Sequence, residues 1–123
     1  MRPGSGRFDN RRHEPMADHL SVLLDRIRSL VRGRTDPSVA PSVAEMEHTL
    51  TDGYARALEL DAERSRLRGC IERLAADVHG ERDAGRLRTL TARLESADGD
   101  LYELRGLLEA LRGRIEHARA GAR

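Results

Sequence analysis

At 123 residues, with no Trp, one Phe and two Tyr, the chain holds too few large apolar rings for an ordinary globular core. Charged residues make up 35% of it but nearly cancel, to a formal +1, so bulk charge makes no case for nucleic acid as a partner. A single cysteine, Cys70, excludes an internal disulfide and any multi-cysteine metal site, and it suits a reducing cytoplasm.

Leu, Ala, Arg and Glu dominate, the vocabulary of long helices. All 22 basic residues are Arg, Lys and Gln do not occur, and Asn10 is the lone Asn, a bias that points to a GC-rich bacterial genome. Such genomes also produce spurious reading frames rich in Arg, Ala and Gly, so only a sustained structural pattern marks a real fold.

Residues 1–16 combine three Pro or Gly punctuators in the first six positions with four Arg and no apolar periodicity, and are read as a disordered basic arm. Met16 closes it and is a second candidate start of translation. Across 17–32, Leu20, Leu23, Leu24, Ile27, Leu30 and Val31 recur at helical spacing, which predicts a short amphipathic helix ended by Gly33. Its apolar stripe must be buried, against the rest of the chain, in a partner's groove or on a membrane surface, and is therefore the first candidate interaction surface. Residues 33–41, with Pro37 and Pro41, read as a linker.

Ser42 followed by Glu45 predicts a capping box and the start of a long helix. Steps of three and four from Val43 land on Met46, Leu50, Gly53, Ala57, Leu60, Arg64, Leu67, Ile71, Leu74 and Val78; from Leu87 they land on Leu90, Leu94, Ala97, Leu101, Leu104, Leu108, Leu111, Ile115 and Ala118. A 3.5-residue repeat held this long is the signature of a supercoiled seam, and a random frame would lose its phase. Gly80 permits a tight reversal and Asp83 can cap the returning helix. The fold predicted is all-α: an antiparallel coiled-coil helical hairpin over 42–119, with helices of about 42–79 and 83–119, a short N-terminal amphipathic helix, and a tail at 120–123. A turn at Gly80 and Glu81 pairs Leu74 with Leu87, Leu60 with Leu101 and Ala57 with Leu104, setting small residues against large ones.

Arg64 is the one charged break in the seam. The expected register puts it opposite Ala97, with Asp61, Glu63, Asp98 and Asp100 on the flanking positions. These five residues are either a candidate ligand layer, for a cation or an anion, or a register-fixing pair in which the guanidinium snorkels to the carboxylates. Cys70 sits beside the seam, and Gly99 makes 97–100 the poorest helix former of the second helix.

Catalytic chemistry finds no constellation. No two His lie four apart on one helix, there is no phosphate loop or nucleophile elbow, and two helices cannot enclose a substrate, so no enzyme, metal or cofactor is expected. No stretch approaches the roughly 18 apolar residues of a membrane span, and the N-terminus lacks a signal-peptide apolar region. Residues 1–34 hold eight Arg against four acids and 104–123 five Arg against two, and an antiparallel hairpin would bring these segments to one basic pole.

Asp61, Ser65, Arg68 and Glu72 resemble part of the spaced motif of the actinobacterial coiled-coil anti-sigma factors that bind cyclic di-GMP, in which an acidic residue, Ser, Arg, Gln and Asp recur along each helix. Glu72 stands where that motif has Gln, Ala76 where it has Asp, and the second helix carries no copy. The resemblance implies a helical hairpin and, as function, a nucleotide-binding regulator. The residues themselves favour a non-enzymatic, cytoplasmic protein-interaction module, an adaptor or regulator with a protein partner. The alternatives are a nucleotide- or nucleic-acid-binding regulator and a structural homo-oligomer such as a homodimer of hairpins.

Overall fold

A computed structural model describes residues 19–33 and 41–121 of the chain. The expected basic arm, the first residues of the expected short helix, most of the linker and the last two residues lie outside that range. The described residues form three helices and no strand: α1 over 19–32, α2 over Val43–Ala76 and α3 over Gly80–Gly121. They fall into two compact units. A terminal unit holds α1, α2 as far as Thr51 and α3 from Ala110; a central unit is Asp52–Glu109.

In the terminal unit α1 buries Leu20, Leu24, Ile27 and Leu30, the positions three and four apart that share one helical face. Leu23 and Val31 are half-buried at the edge of that stripe. Met46, Leu111 and Ile115 are buried in the same unit, so the short helix spends its apolar face inside the fold. Ser42 starts α2 as its composition predicts: the Glu45 amide donates to Ser42 Oγ at 3.0 Å. One turn later Thr49 is buried, and its hydroxyl donates back to the Glu45 carbonyl at 3.1 Å, so this buried hydroxyl is paired. Arg119 of α3 forms an ion pair with Glu47 of α2.

Gly33 ends α1 at φ +76°, and the Arg114 guanidinium lies where a Cβ on Gly33 would go. Any side chain here must adopt a left-handed backbone, at roughly 1–2 kcal/mol, and displace Arg114. Gly33→Ala should therefore lower the urea midpoint of unfolding. An unchanged midpoint would show that the end of α1 contributes nothing to the unit.

The central unit contains the break between α2 and α3. Gly53, Ala57, Leu60 and Leu67 of α2 and Ala97, Leu101, Leu104 and Leu108 of α3 are buried. Towards the turn, Ile71, Leu74, Leu87, Leu90 and Leu94 are only half-buried. Two helices alone shield one side of each such residue and leave the other to solvent.

The turn differs from its expected place by about three residues. α2 stops at Ala76 rather than near 79, with the Asp77 amide donating to the Leu74 carbonyl at 3.2 Å. α3 begins at Gly80, φ +76°, rather than at 83. The physical reason is that Asp83 acts from inside the helix: its carboxylate reaches back four residues to accept the His79 amide at 2.9 Å, satisfying a free amide at the helix start, so the first turn precedes it. His79 Nε2 also meets Asp77 Oδ1 at 2.7 Å.

Candidate interaction surface

The seam of the central unit carries one polar layer. Arg64 splits its guanidinium between two carboxylates, donating to Asp61 Oδ1 at 2.7 Å on its own helix and to Asp98 Oδ1 at 3.4 Å on α3. Asp61 also lies 4.0 Å from Arg105. The Arg64 Nε is buried and accepted by no partner among the described residues. All the groups carrying charge in this layer stay partly open to water, which holds the Coulombic gain to the modest range of surface pairs, about 0.2–1 kcal/mol each.

The other two expected members stand elsewhere. Asp100 holds its proton more tightly than an ordinary aspartate, first through burial and then through Glu103, with Arg56 opposing the rise and Glu63 adding to it. The expected ring of four carboxylates around Arg64 thus separates into Asp61 and Asp98 on the guanidinium, and Glu63 with Asp100 in a second group near Arg56. Positions flanking a seam lie on opposite sides of it, and a guanidinium can snorkel to one side only.

The raised value carries a sign. A carboxyl that holds its proton more tightly when folded favours the fold fully below its unfolded value, and that contribution is lost as pH rises through the folded one. At neutral pH an ionised Asp100 opposes folding, so Asp100→Asn should raise the thermal midpoint at pH 7 and lose that advantage near pH 3. A gain that is the same at both pH values would assign the effect to helix propensity instead.

Beyond the polar layer the surface carries large apolar side chains that the seam does not use. Leu58 is 73% exposed and Tyr102 84%, each one residue after a seam position, and Tyr54 is also exposed. Their off-seam placement could have been read from the sequence, since an apolar side chain directly after Ala57 or Leu101 must face outward. Next to Tyr102 runs an open groove of about 800 Å³ lined by Leu101 and Gly106 and by Arg64, Arg68 and Arg105 among others. Arg68 thus contributes to the groove, whereas Ser65 and Glu72 are exposed residues of α2. A smaller groove near the turn is lined by Cys70, Leu74 and Leu90, with Arg73 donating to Cys70 Sγ at 3.5 Å.

No protein-family model matches the chain. No solved structure matches it either. Over 92 residues it is 33% identical to the alanine–tRNA ligase of Chlorobaculum tepidum, a stretch that takes in 75% of this chain and 10% of that ligase. The chain is similar to one short part of that protein and spans about a tenth of its length.

Among the described residues no group of His, Cys, Asp and Glu side chains is arranged to hold a metal ion, and no helix is long and apolar enough to cross a membrane. What the central unit offers a ligand is therefore an exposed helical surface. That surface carries exposed aromatic and aliphatic side chains, Tyr54, Leu58 and Tyr102, among charged ones.

Proposed function

We propose that the chain is a non-enzymatic protein-interaction module, a bacterial, cytoplasmic adaptor or regulator in which α2 and α3 form an antiparallel coiled-coil hairpin presented to a protein partner. The observation that carries this reading is the exposure of Leu58 and Tyr102 on the central unit, one residue beyond the buried Ala57 and Leu101. Water-exposed aromatic and aliphatic side chains on a small helical scaffold are the raw material of an interface hot spot. Both helices lie open to solvent along their outer faces, so a substrate there would not be sequestered from water as catalysis of a difficult step requires.

Affinity capture with the tagged full chain and with a Leu58→Ser, Tyr102→Ser double variant tests this. Both positions are exposed, so the variant should keep its helical signal and lose the captured protein. A partner retained equally by both would reject the surface, and with it this reading.

The identity with part of an alanine–tRNA ligase favours a second reading, binding of RNA through the arginines. It predicts retention of tRNA that falls steeply between low and moderate salt, because phosphate contacts release counterions. Retention indifferent to salt, or none at low salt, would remove it.

A further inference from the structure

We propose that one side of the central unit, carrying Arg66, Arg73, Arg82, Arg86 and Arg93, grips the phosphate backbone of duplex RNA without reading its sequence. The inference rests on the second reading above and names the surface on which that RNA lies.

Charge that nearly cancels over the whole chain is separated within this unit. Residues 66–93 hold seven Arg against four acids, whereas the rest of the unit holds three Arg against nine. The groove near the break between α2 and α3 brings Arg73 of α2 and Arg86 of α3 to one side, with Cys70 and Asp77 beside them. Arg66 lies two turns before Arg73, Arg93 two turns after Arg86 and Arg82 one turn before it, so helical periodicity sets all five on that side.

All five are exposed, and among the described residues none of them is in an ion pair. Asp77, the carboxylate that lines this groove among the described residues, is held by His79 Nε2 at 2.7 Å from its Oδ1. The opposite side is balanced instead. There the same spacing gathers Arg68 and Arg88 with Glu72 and Glu81.

The chemistry of that side selects its partner. Five like charges repel one another, and a polyanion relieves that repulsion. Arg66 and Arg73, like Arg86 and Arg93, stand about 10 Å apart along their helices, so the charges form rows that suit an extended backbone rather than a single anion. A membrane surface or a protein interface also needs an apolar anchor. The large exposed apolar side chains stand elsewhere: Tyr54, Leu58 and Tyr102 lie outside residues 66–93, and Val78 follows the seam spacing. Residues 66–93 hold no aromatic side chain to stack on an unpaired base and no Asn or Gln to read one. The contacts are therefore to phosphate, which favours a duplex over a single strand. The major groove of duplex RNA is too deep and narrow for side chains to read, so the arginines carry no sequence preference there.

The test is fluorescence anisotropy of a labelled RNA stem-loop titrated with the full-length protein and with two double variants that remove equal charge from opposite sides. At about 50 mM salt, Arg73→Gln with Arg86→Gln should weaken binding at least about tenfold and lower the salt slope by roughly two, one for each lost phosphate contact. Arg68→Gln with Arg88→Gln should weaken it by less than about threefold. All four positions are exposed, so circular dichroism should show the same helicity in both variants. Equal losses from the two sides would overturn this inference alone and leave RNA binding standing at other arginines. No binding by the wild type at low salt would remove the inference and that reading together. Single-stranded RNA, duplex DNA, polyglutamate or phosphatidylglycerol vesicles bound more tightly than the stem-loop would also overturn the proposal.

Discussion

Leu104→Asp together with Leu60→Asp is expected to abolish the helical signal of the central unit. Leu104 is 0% exposed and Leu60 is buried with it, so each substitution removes a packed side chain and leaves a space, at about 2–5 kcal/mol. Each also puts a carboxylate into the seam, where it either ionises at a desolvation cost or stays protonated without a donor partner. The sum approaches or exceeds the entire stability of a small domain, about 5–15 kcal/mol. Far-UV circular dichroism and a urea titration measure the effect. Leu58→Asp is the internal control: the same chemical change at a 73% exposed position should move stability by no more than about 0.5 kcal/mol. Equal losses at Leu58 and Leu104 would contradict the assignment of seam and surface.

The second large effect is expected in the terminal unit. Ile27 is 0% exposed at the centre of the α1 stripe. Ile27→Ala should cost about 2–5 kcal/mol of that unit's stability. Hydrogen exchange should show faster exchange in α1, with the amides of residues 52–109 unchanged if the two units open separately. A uniform acceleration along all three helices would show one cooperative block instead. The burial of Leu20, Leu24, Ile27 and Leu30 also bears on function: a partner could use that stripe only after α1 leaves the terminal unit, so substitutions loosening α1 would strengthen such binding.

Most positions that end up buried were legible from spacing, with Thr49 buried in place of the expected neighbour Leu50, which is half-buried, and Val78 exposed. Met46, Ala57, Leu60, Leu67, Ala97, Leu101, Leu104, Leu108, Leu111 and Ile115 are all steps of the three-and-four pattern, and each is buried. Periodicity works here because burial on a helix is a question of angle, which the sequence states directly. It does not fix how far a seam position is buried. Leu60 and Leu74 occupy equivalent steps, yet Leu74 near the turn is half-exposed.

The polar layer was half legible. Arg64 with Asp61 and Asp98 follows from a long side chain leaving a crowded seam for nearby carboxylates. Its separation from Glu63 and Asp100 depends on the rotamer, which spacing does not encode. The turn was misplaced because Asp83 can cap a helix either as its first residue or by reaching back from within, and both give the same local sequence. The groove beside Tyr102 was missed for another reason: the search for chemistry followed charged and catalytic residue types, whereas the signal was an aromatic residue off the seam beside a helical glycine.

The antiparallel hairpin is tested most directly by chemical cross-linking of a Leu90→Cys variant with a short bismaleimide. Cys70 on α2 and Leu90 on α3 line one small groove near the turn, so the new thiol should be linked to Cys70. In dilute solution a hairpin predicts a 70–90 link within one chain, identified by peptide mass spectrometry at the mass of a monomer. Links found only between chains would replace the hairpin by a swapped dimer of extended helices, and the absence of any 70–90 link would contradict the pairing of α2 with α3.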